Sequence, residues 1–384
     1  VPVSGVADLP LHGGHVPAWL ARIMKRMAKA IVKIMIIEYG PIELLRRLSN
    51  PLWFQALNNA IGMDWDSSGS TTVTTAILKE ILKEENIEVR IAGGKGKISL
   101  KTPKEIIIEA DDIGLITSKA SELIKISKLG AKVDTTLLQD GFTLYHHAIA
   151  FTKSGEWVII QQGMNEEIRM ARRYHIAWYK AGDITLEPHT GVASDIIARP
   201  LNLTKSESIK CRPVIIDLST EKVEKIKKYI AEVNAVLKGI RALTASKLPR
   251  KIDKSLPYYR PVRLSSRLLR TLKQVYEVKP TSLSELLLDT SVGSEGIRAL
   301  SLISELIYRE PPPLDDSVTH PYDPFKYAFT IGGKDGIPYP VKKELAETVL
   351  KELEHIIKSS ELGDKEKFRA LRSLRKLAPR DYSY

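Results

Sequence analysis

One cysteine, Cys211, occurs in 384 residues. An intrachain disulfide is therefore excluded, and so is a cysteine metal cluster built by one chain. Long apolar runs are missing as well. The most apolar early run, AIVKIMIIEYG, is broken by Lys33 and Glu38 and is too short to span a bilayer. No membrane partner is expected. The opening residues lack the charged region and apolar stretch of a signal peptide, so the expected location is cytoplasmic. Gln is scarce beside abundant Lys, Glu and Ile, a composition associated with thermophiles. The P-loop frame G-x-x-x-x-G-K-[ST] is absent, and no long internal repeat occurs. What the chain has in excess is positive charge: 58 Lys and Arg against 46 Asp and Glu, a formal net charge of +12. That balance favours a polyanionic partner.

The residue patterns predict an α+β fold. After a loop-like leader, Pro17 opens an amphipathic helix through residue 37. It carries Trp19, Ile23, Met27, Ile31 and Ile34 on one side. Further helices are expected at 41–48, at 51–62, and after the Ser/Thr run of 67–75 as far as Lys83. Then the period changes. IEVRIAG, EIIIEA, FTLYHHAIAFT and EWVIIQQG read as strands. The last two flank Lys153-Ser154-Gly155-Glu156 and are expected to form an antiparallel hairpin. A helix is expected over 118–129, and mixed helix and loop over 163–205. The Lys- and Ser-rich stretch 203–210 marks a candidate boundary. Residues 1–205 are then a mixed α+β, catalytic domain. Residues 206–384 are a basic, mainly helical, nucleic-acid-binding domain. In that second part, helices are expected over 220–237 and from Val341 to about Lys358.

Residues 286–308, LLLDTSVGSEGIRALSLISELIY, read as two apolar helices joined by a glycine-punctuated turn. Gly293 leaves its amide open, and Gly296 lets the second helix start close to a ligand. Amides beside a helix N-terminus can hold one backbone phosphate. The segment resembles the helix-hairpin-helix module of DNA repair and replication proteins. That resemblance implies DNA contact without sequence preference, through Gly293, Gly296 and nearby amides. Upstream, residues 241–273 are densely basic and enclose Tyr258 and Tyr259. Arg260, Arg263, Arg267 and Arg270 are candidate backbone contacts. Cations interleaved with aromatics are the composition of such a surface.

Candidate chemistry lies mostly in the first half. AKVDTTLLQDGFTLYHHAIAF holds Asp134, Asp140, His146 and His147; Gln161, Gln162, Arg172, Arg173 and His175 follow. On a regular strand, His146 and His147 must point to opposite sides. Carboxylates at a strand entrance, with polar groups on paired strands, are the minimum apparatus of a divalent-metal nuclease. Asp134 and Asp140 would hold Mg or Mn. His146, His147 or His175 would bind metal or move a proton, and Arg172 and Arg173 would hold phosphate. The acidic-x-lysine pair of common restriction-like nucleases is missing. A second cluster, Asp8, His12 and His15 in the leader, offers further metal ligands. A third, FTIGGKDGIPYPV, places Lys334 beside Asp335 and invites comparison with glycosylases that use a lysine nucleophile; adjacency of the two departs from their pattern.

Taken together, GVADLPLHGGHVPAWL, LLQDGFTLYHHAIAF, IIQQGMNEEIRMARRYHIAWY and GGKDGIPYPV resemble the uncharacterised family DUF763, found mainly in archaea and some thermophilic bacteria. The resemblance covers most of the chain and implies no activity that can be assigned to residues. The expected function is DNA processing or repair by metal-dependent phosphodiester hydrolysis. The alternatives are a non-enzymatic DNA- or RNA-binding protein and a base-excision glycosylase.

Overall fold

A computed structural model describes residues 16–63, 68–180, 182–194, 196–240, 249–319, 341–344 and 346–351. The first helix, α1 (Ala18–Leu48), buries Leu20, Ile23, Met24, Met27 and Ala28 along one stripe. It bends at Gly40, whose φ of 80° leaves the helical region just before Pro41. The two helices expected over 18–48 are thus the two arms of one kinked element. Asn50 caps α2 (Pro51–Ala60) by accepting from Leu52 N at 2.8 Å and Trp53 N at 3.2 Å. The third helix, α3 (Gly69–Glu84), presents Thr71, Thr74, Thr75, Leu78 and Leu82 inward.

Five antiparallel strands form the central sheet: β1 (Val89–Lys95), β3 (Thr143–Thr152), β4 (Trp157–Asn165), β5 (Met170–Ala177) and β6 (His189–Ala193), in the order β1-β3-β4-β5-β6. The β3–β4 hairpin turns through Lys153–Glu156, as the alternation predicted. Two short strands, β2 (Leu138–Gln139) and β7 (Leu201–Asn202), pair separately. Between β1 and β3 lie α4 (Thr102–Asp112) and α5 (Thr117–Lys132).

Period two divides the sheet's apolar residues between its faces. One face gives Ile91, Ala148, Ala150, Val158, Ile160 and Ala177 to a core shared with α1–α3. The other gives Ala92, Ile149, Phe151, Ile159 and Ile176 to a core continuous with α6 (Cys211–Ser219), α7 (Val223–Leu237), α8 (Ser266–Val278), α9 (Leu283–Leu288) and α10 (Ser294–Leu306). The architecture is α+β, with a sheet-and-helix N-terminal part and a helical C-terminal region.

Two local expectations change. EIIIEA is not a strand but the middle of α4. Pro103 sits in its first turn, and Ile106 and Ala110, four residues apart, turn inward while Ile107 and Ile108 face solvent. Residues 163–205 were expected to lack strands. They supply β5, β6 and β7, and the polar residues of β5 are buried rather than exposed.

Candidate functional site

Register pairing carries polar rows across one end of the sheet, on both faces. On the α5 side the row is His147, Gln161 and Tyr174. Its polar atoms are consumed internally. Gln161 Nε2 donates to Asp134 Oδ2 at 2.6 Å and to Gly130 O at 3.2 Å. Its Oε1 must then accept, so His147 Nδ1–H donates to it at 2.7 Å, leaving His147 Nε2 to accept from Ser127 Oγ at 2.7 Å. Asp134 comes from the widened turn Val133–Leu137 and takes its other bond from His189 Nε2 at 2.7 Å. Burial keeps the His147 pKa low. His189 has no counterpart among the sequence-based candidates.

Asp140 belongs to a separate network. Its carboxylate accepts from Arg172 Nη1 at 2.8 Å, Tyr174 Oη at 2.7 Å and Phe142 N at 3.1 Å. Burial raises the Asp140 pKa, and these three donors oppose that rise. Arg172 also grips Asp316, at 2.9 and 3.0 Å, and the Ile196 carbonyl at 2.6 Å. Burial opposes its charge, and the carboxylates of Asp140 and Asp316 more than offset that, raising its pKa. This is a structural clasp between β5 and the segment around residue 316.

The divalent-metal expectation therefore falls. Among the described residues no group of three or more His, Cys, Asp and Glu could hold a metal ion. Asp134 and Asp140, expected as the Mg or Mn pair, occupy different networks and spend their oxygens on protein donors. Asp8, His12 and His15 lie outside the described residues, as does Lys334.

The opposite face carries the row His146, Gln162 and Arg173, covered by α2 and α3. Arg173 donates to Gln55 Oε1 at 3.2 Å and to Thr71 Oγ1 at 3.4 Å, and lies 4.8 Å over the Phe54 ring. At the far end, Thr75 already donates to Thr71 O, so His146 Nε2–H donates to Thr75 Oγ1 at 3.2 Å. Among the described residues, His146 Nδ1 is left as a buried acceptor with no hydrogen-bond partner. Both amide atoms of Gln162, between these two anchors, lack partners too. So do both amide atoms of Asn58, Asn59 Nδ2, Ser70 Oγ and Thr74 Oγ1. Each such atom costs about 1–3 kcal/mol if left dry. Burial pushes the His146 pKa down to about 3, which keeps the ring neutral. His175, one step along β5 on this face, donates Nδ1–H to Leu48 O at 2.9 Å and packs edge-on to Phe54. Sequence reasoning found His146, Gln162, Arg173 and His175. It missed Asn58, read as an ordinary helix residue, and Ser70 and Thr74, read as part of the polar Ser/Thr run before a helix.

The C-terminal helices carry the second candidate surface. Ser265 caps α8 by accepting from Leu268 N at 3.1 Å. Leu268, Thr271, Leu272 and Val275 face the core, leaving Arg263, Arg267, Arg270 and Lys273 exposed. Arg260 is exposed just before them. Lys273 reaches Glu277 at 3.9 Å. Arg260, Arg263, Arg267 and Arg270 have no ion-pair partner among the described residues. Gln274 ties α8 to the α9–α10 turn by accepting from Ser291 N at 3.0 Å. On that turn a Cβ on Gly293 would meet nothing within 4 Å, whereas a Cβ on Gly296 would meet Val292 Cγ2 at 2.9 Å. Lys132 donates to Val292 O at 3.1 Å, and burial lowers its pKa. Arg298 binds the Tyr258 carbonyl at 3.1 Å and the Arg260 carbonyl, linking the basic segment to α10. Tyr258 and Tyr259, expected on the exposed basic surface, are buried. Glu305 holds Tyr259: it accepts from Tyr259 Oη at 2.8 Å and from Arg250 at 2.8 and 2.9 Å.

No described helix is long and apolar enough to cross a membrane. No curated protein and no solved structure matches the chain. A family model described as "Protein of unknown function (DUF763)" matches residues 5–341, and the chain belongs to that family.

Proposed function

We propose that this protein binds nucleic acid, DNA foremost, through its sugar-phosphate backbone and with little sequence preference. The observation that carries the reading is the exposed row Arg260, Arg263, Arg267 and Arg270, uncompensated among the described residues. A carboxylate within reach would quench such a row; exposed Glu295 is instead held by Arg298 at 2.8 Å. The first amides of α10 have no intrahelical acceptor, and Gly293 leaves room beside them. An arginine row next to an open helix N-terminus is the chemistry of a phosphate track. The α9–turn–α10 unit would act as the helix-hairpin-helix-like part of that track. Binding is favoured over phosphodiester hydrolysis because Asp134, Asp140 and Arg172 are committed to internal partners.

The test uses the full chain and fluorescently labelled duplex DNA, single-stranded DNA and RNA of mixed sequence. Four backbone contacts give a salt slope of about −3.6, or roughly a hundredfold loss of affinity between 50 and 200 mM salt. Binding should be retained when the sequence is scrambled. No binding to any of the three at low salt overturns the reading.

A further inference from the structure

The polar group between the sheet and α2–α3 lies on the opposite side of the sheet from the helices that carry the arginine row, and that row makes no use of it. Its composition is specific. Asn58 and Gln162 each present a complete carboxamide, one donor group and one acceptor, with neither end taken among the described residues. His146 Nδ1 adds a lone acceptor, Asn59 Nδ2 a lone donor, and Ser70 and Thr74 add hydroxyls. Every one of these residues is nine-tenths or more buried. Contacts fix the group on two sides: Thr75 over His146, and Thr71 with Gln55 over Arg173. Gln162 stands between them in the register, under the same α3 face that carries Thr74.

We propose that this group is a binding site for a nucleobase. A side-chain carboxamide with both arms vacant matches the adjacent donor and acceptor on a base edge, the pairing by which Asn and Gln read adenine. Two such carboxamides, a neutral imidazole acceptor and two hydroxyls meet a flat, uncharged ligand that both donates and accepts. A neutral His146 suits an uncharged guest. The choice of a base over another uncharged polar molecule rests on the nucleic-acid reading above. A base reaching this depth must be out of its stack, as in proteins that extrude a nucleotide from a strand. Entry requires α2 and α3 to separate from the sheet, so binding is read at equilibrium.

The experiment is a thermal-shift titration of the full chain with adenosine, guanosine, cytidine and thymidine, with ribose and inorganic phosphate as controls. At least one nucleoside should raise Tm by about 2 °C or more, in a saturating manner, and neither control should. Gln162→Met and Asn58→Leu should abolish the shift. Thr74→Val, nearly isosteric and therefore the safest to fold, should weaken nucleoside affinity several-fold. Alanine at Arg263, Arg267 and Arg270 together should leave the nucleoside shift intact while weakening DNA binding. That separates the two readings: a nucleoside shift lost in Gln162→Met supports this site even if the chain binds no polymer. Three results overturn it: no nucleoside shift, a shift that survives both Gln162→Met and Thr74→Val, or a shift that ribose reproduces.

Discussion

Replacing Arg172 with methionine separates a structural arginine from a phosphate-binding one. Its guanidinium is fully buried, with Nη1 2.8 Å from Asp140 Oδ2 and 2.9 Å from Asp316 Oδ1, and lies 4.6 Å over the Phe142 ring. Methionine keeps much of the apolar stem but removes the cation, stranding two buried carboxylates. Removing one partner of a buried ion pair costs about 3–5 kcal/mol. For a cooperative unit of about 200 residues, 1 kcal/mol moves Tm by roughly 2–4 °C, so a fall of about 6–20 °C is expected. Urea denaturation should show the same loss in midpoint with little change in slope. Adding Asp140→Asn and Asp316→Asn to Arg172→Met should recover part of it. DNA affinity, measured well below both melting temperatures, should stay within about twofold of the parent. A variant with unchanged Tm but at least tenfold weaker DNA binding would refute the clasp and return Arg172 to the phosphate.

Further expectations follow from single sites. Because burial holds the folded His146 pKa at about 3, below its ordinary 6.5, the unfolded chain takes the proton first. Its contribution is present above pH 6.5 and is lost as pH falls towards 3, a few kcal/mol in all; His146→Gln should flatten that part of a stability–pH curve, and an unchanged curve would contradict the burial argument. Gln162→Met, which removes an amide with no partner among the described residues, should leave the ligand-free stability equal to or above the parent's; a loss of more than about 2 kcal/mol in urea denaturation would mean the amide is already satisfied. Gly93 has a φ of 98°, and a Cβ there would collide with the His147 carbonyl oxygen. Gly93→Ala should therefore destabilise by about 2 kcal/mol or more, as read by Tm, and a neutral result would contradict the β1–β3 register.

Much of the architecture was legible because its signals are local. The β3–β4 hairpin shows period two on both sides of a turn centred on Gly155, and α8 shows buried leucines opposite arginines. EIIIEA misled because three consecutive isoleucines fit a strand as well as a helix, and only packing decides which of them turns inward. β5 was hidden by its composition. Arg172, Arg173 and His175 suggest a solvent-facing segment, yet each finds its partners on other elements: Asp316, Gln55 and the Leu48 carbonyl. The same long-range pairing undid the metal expectation, since Asp134 and Asp140 are close in sequence but commit to His189 and Arg172. Asn58 and Thr74 gave no warning at all, because an amide on a helix and a hydroxyl in a polar Ser/Thr run usually face water. Tyr258 and Tyr259 were placed on the surface by their basic neighbours, yet both are buried, and Tyr259 donates to Glu305, 46 residues beyond it.

The central claim is that the uncompensated arginine row tracks a nucleic-acid backbone. The most direct measurement is the dissociation constant of the full chain for labelled duplex DNA from 50 to 300 mM salt, compared with a variant carrying alanine at Arg263, Arg267 and Arg270. Each lost phosphate contact should shallow the log–log slope by about 0.9, so the variant's slope should be shallower by up to about 2.7. Its affinity at low salt should fall with Tm unchanged, because these side chains are exposed. Equal slopes for the two proteins, or no binding by the parent at 50 mM salt, would contradict the account.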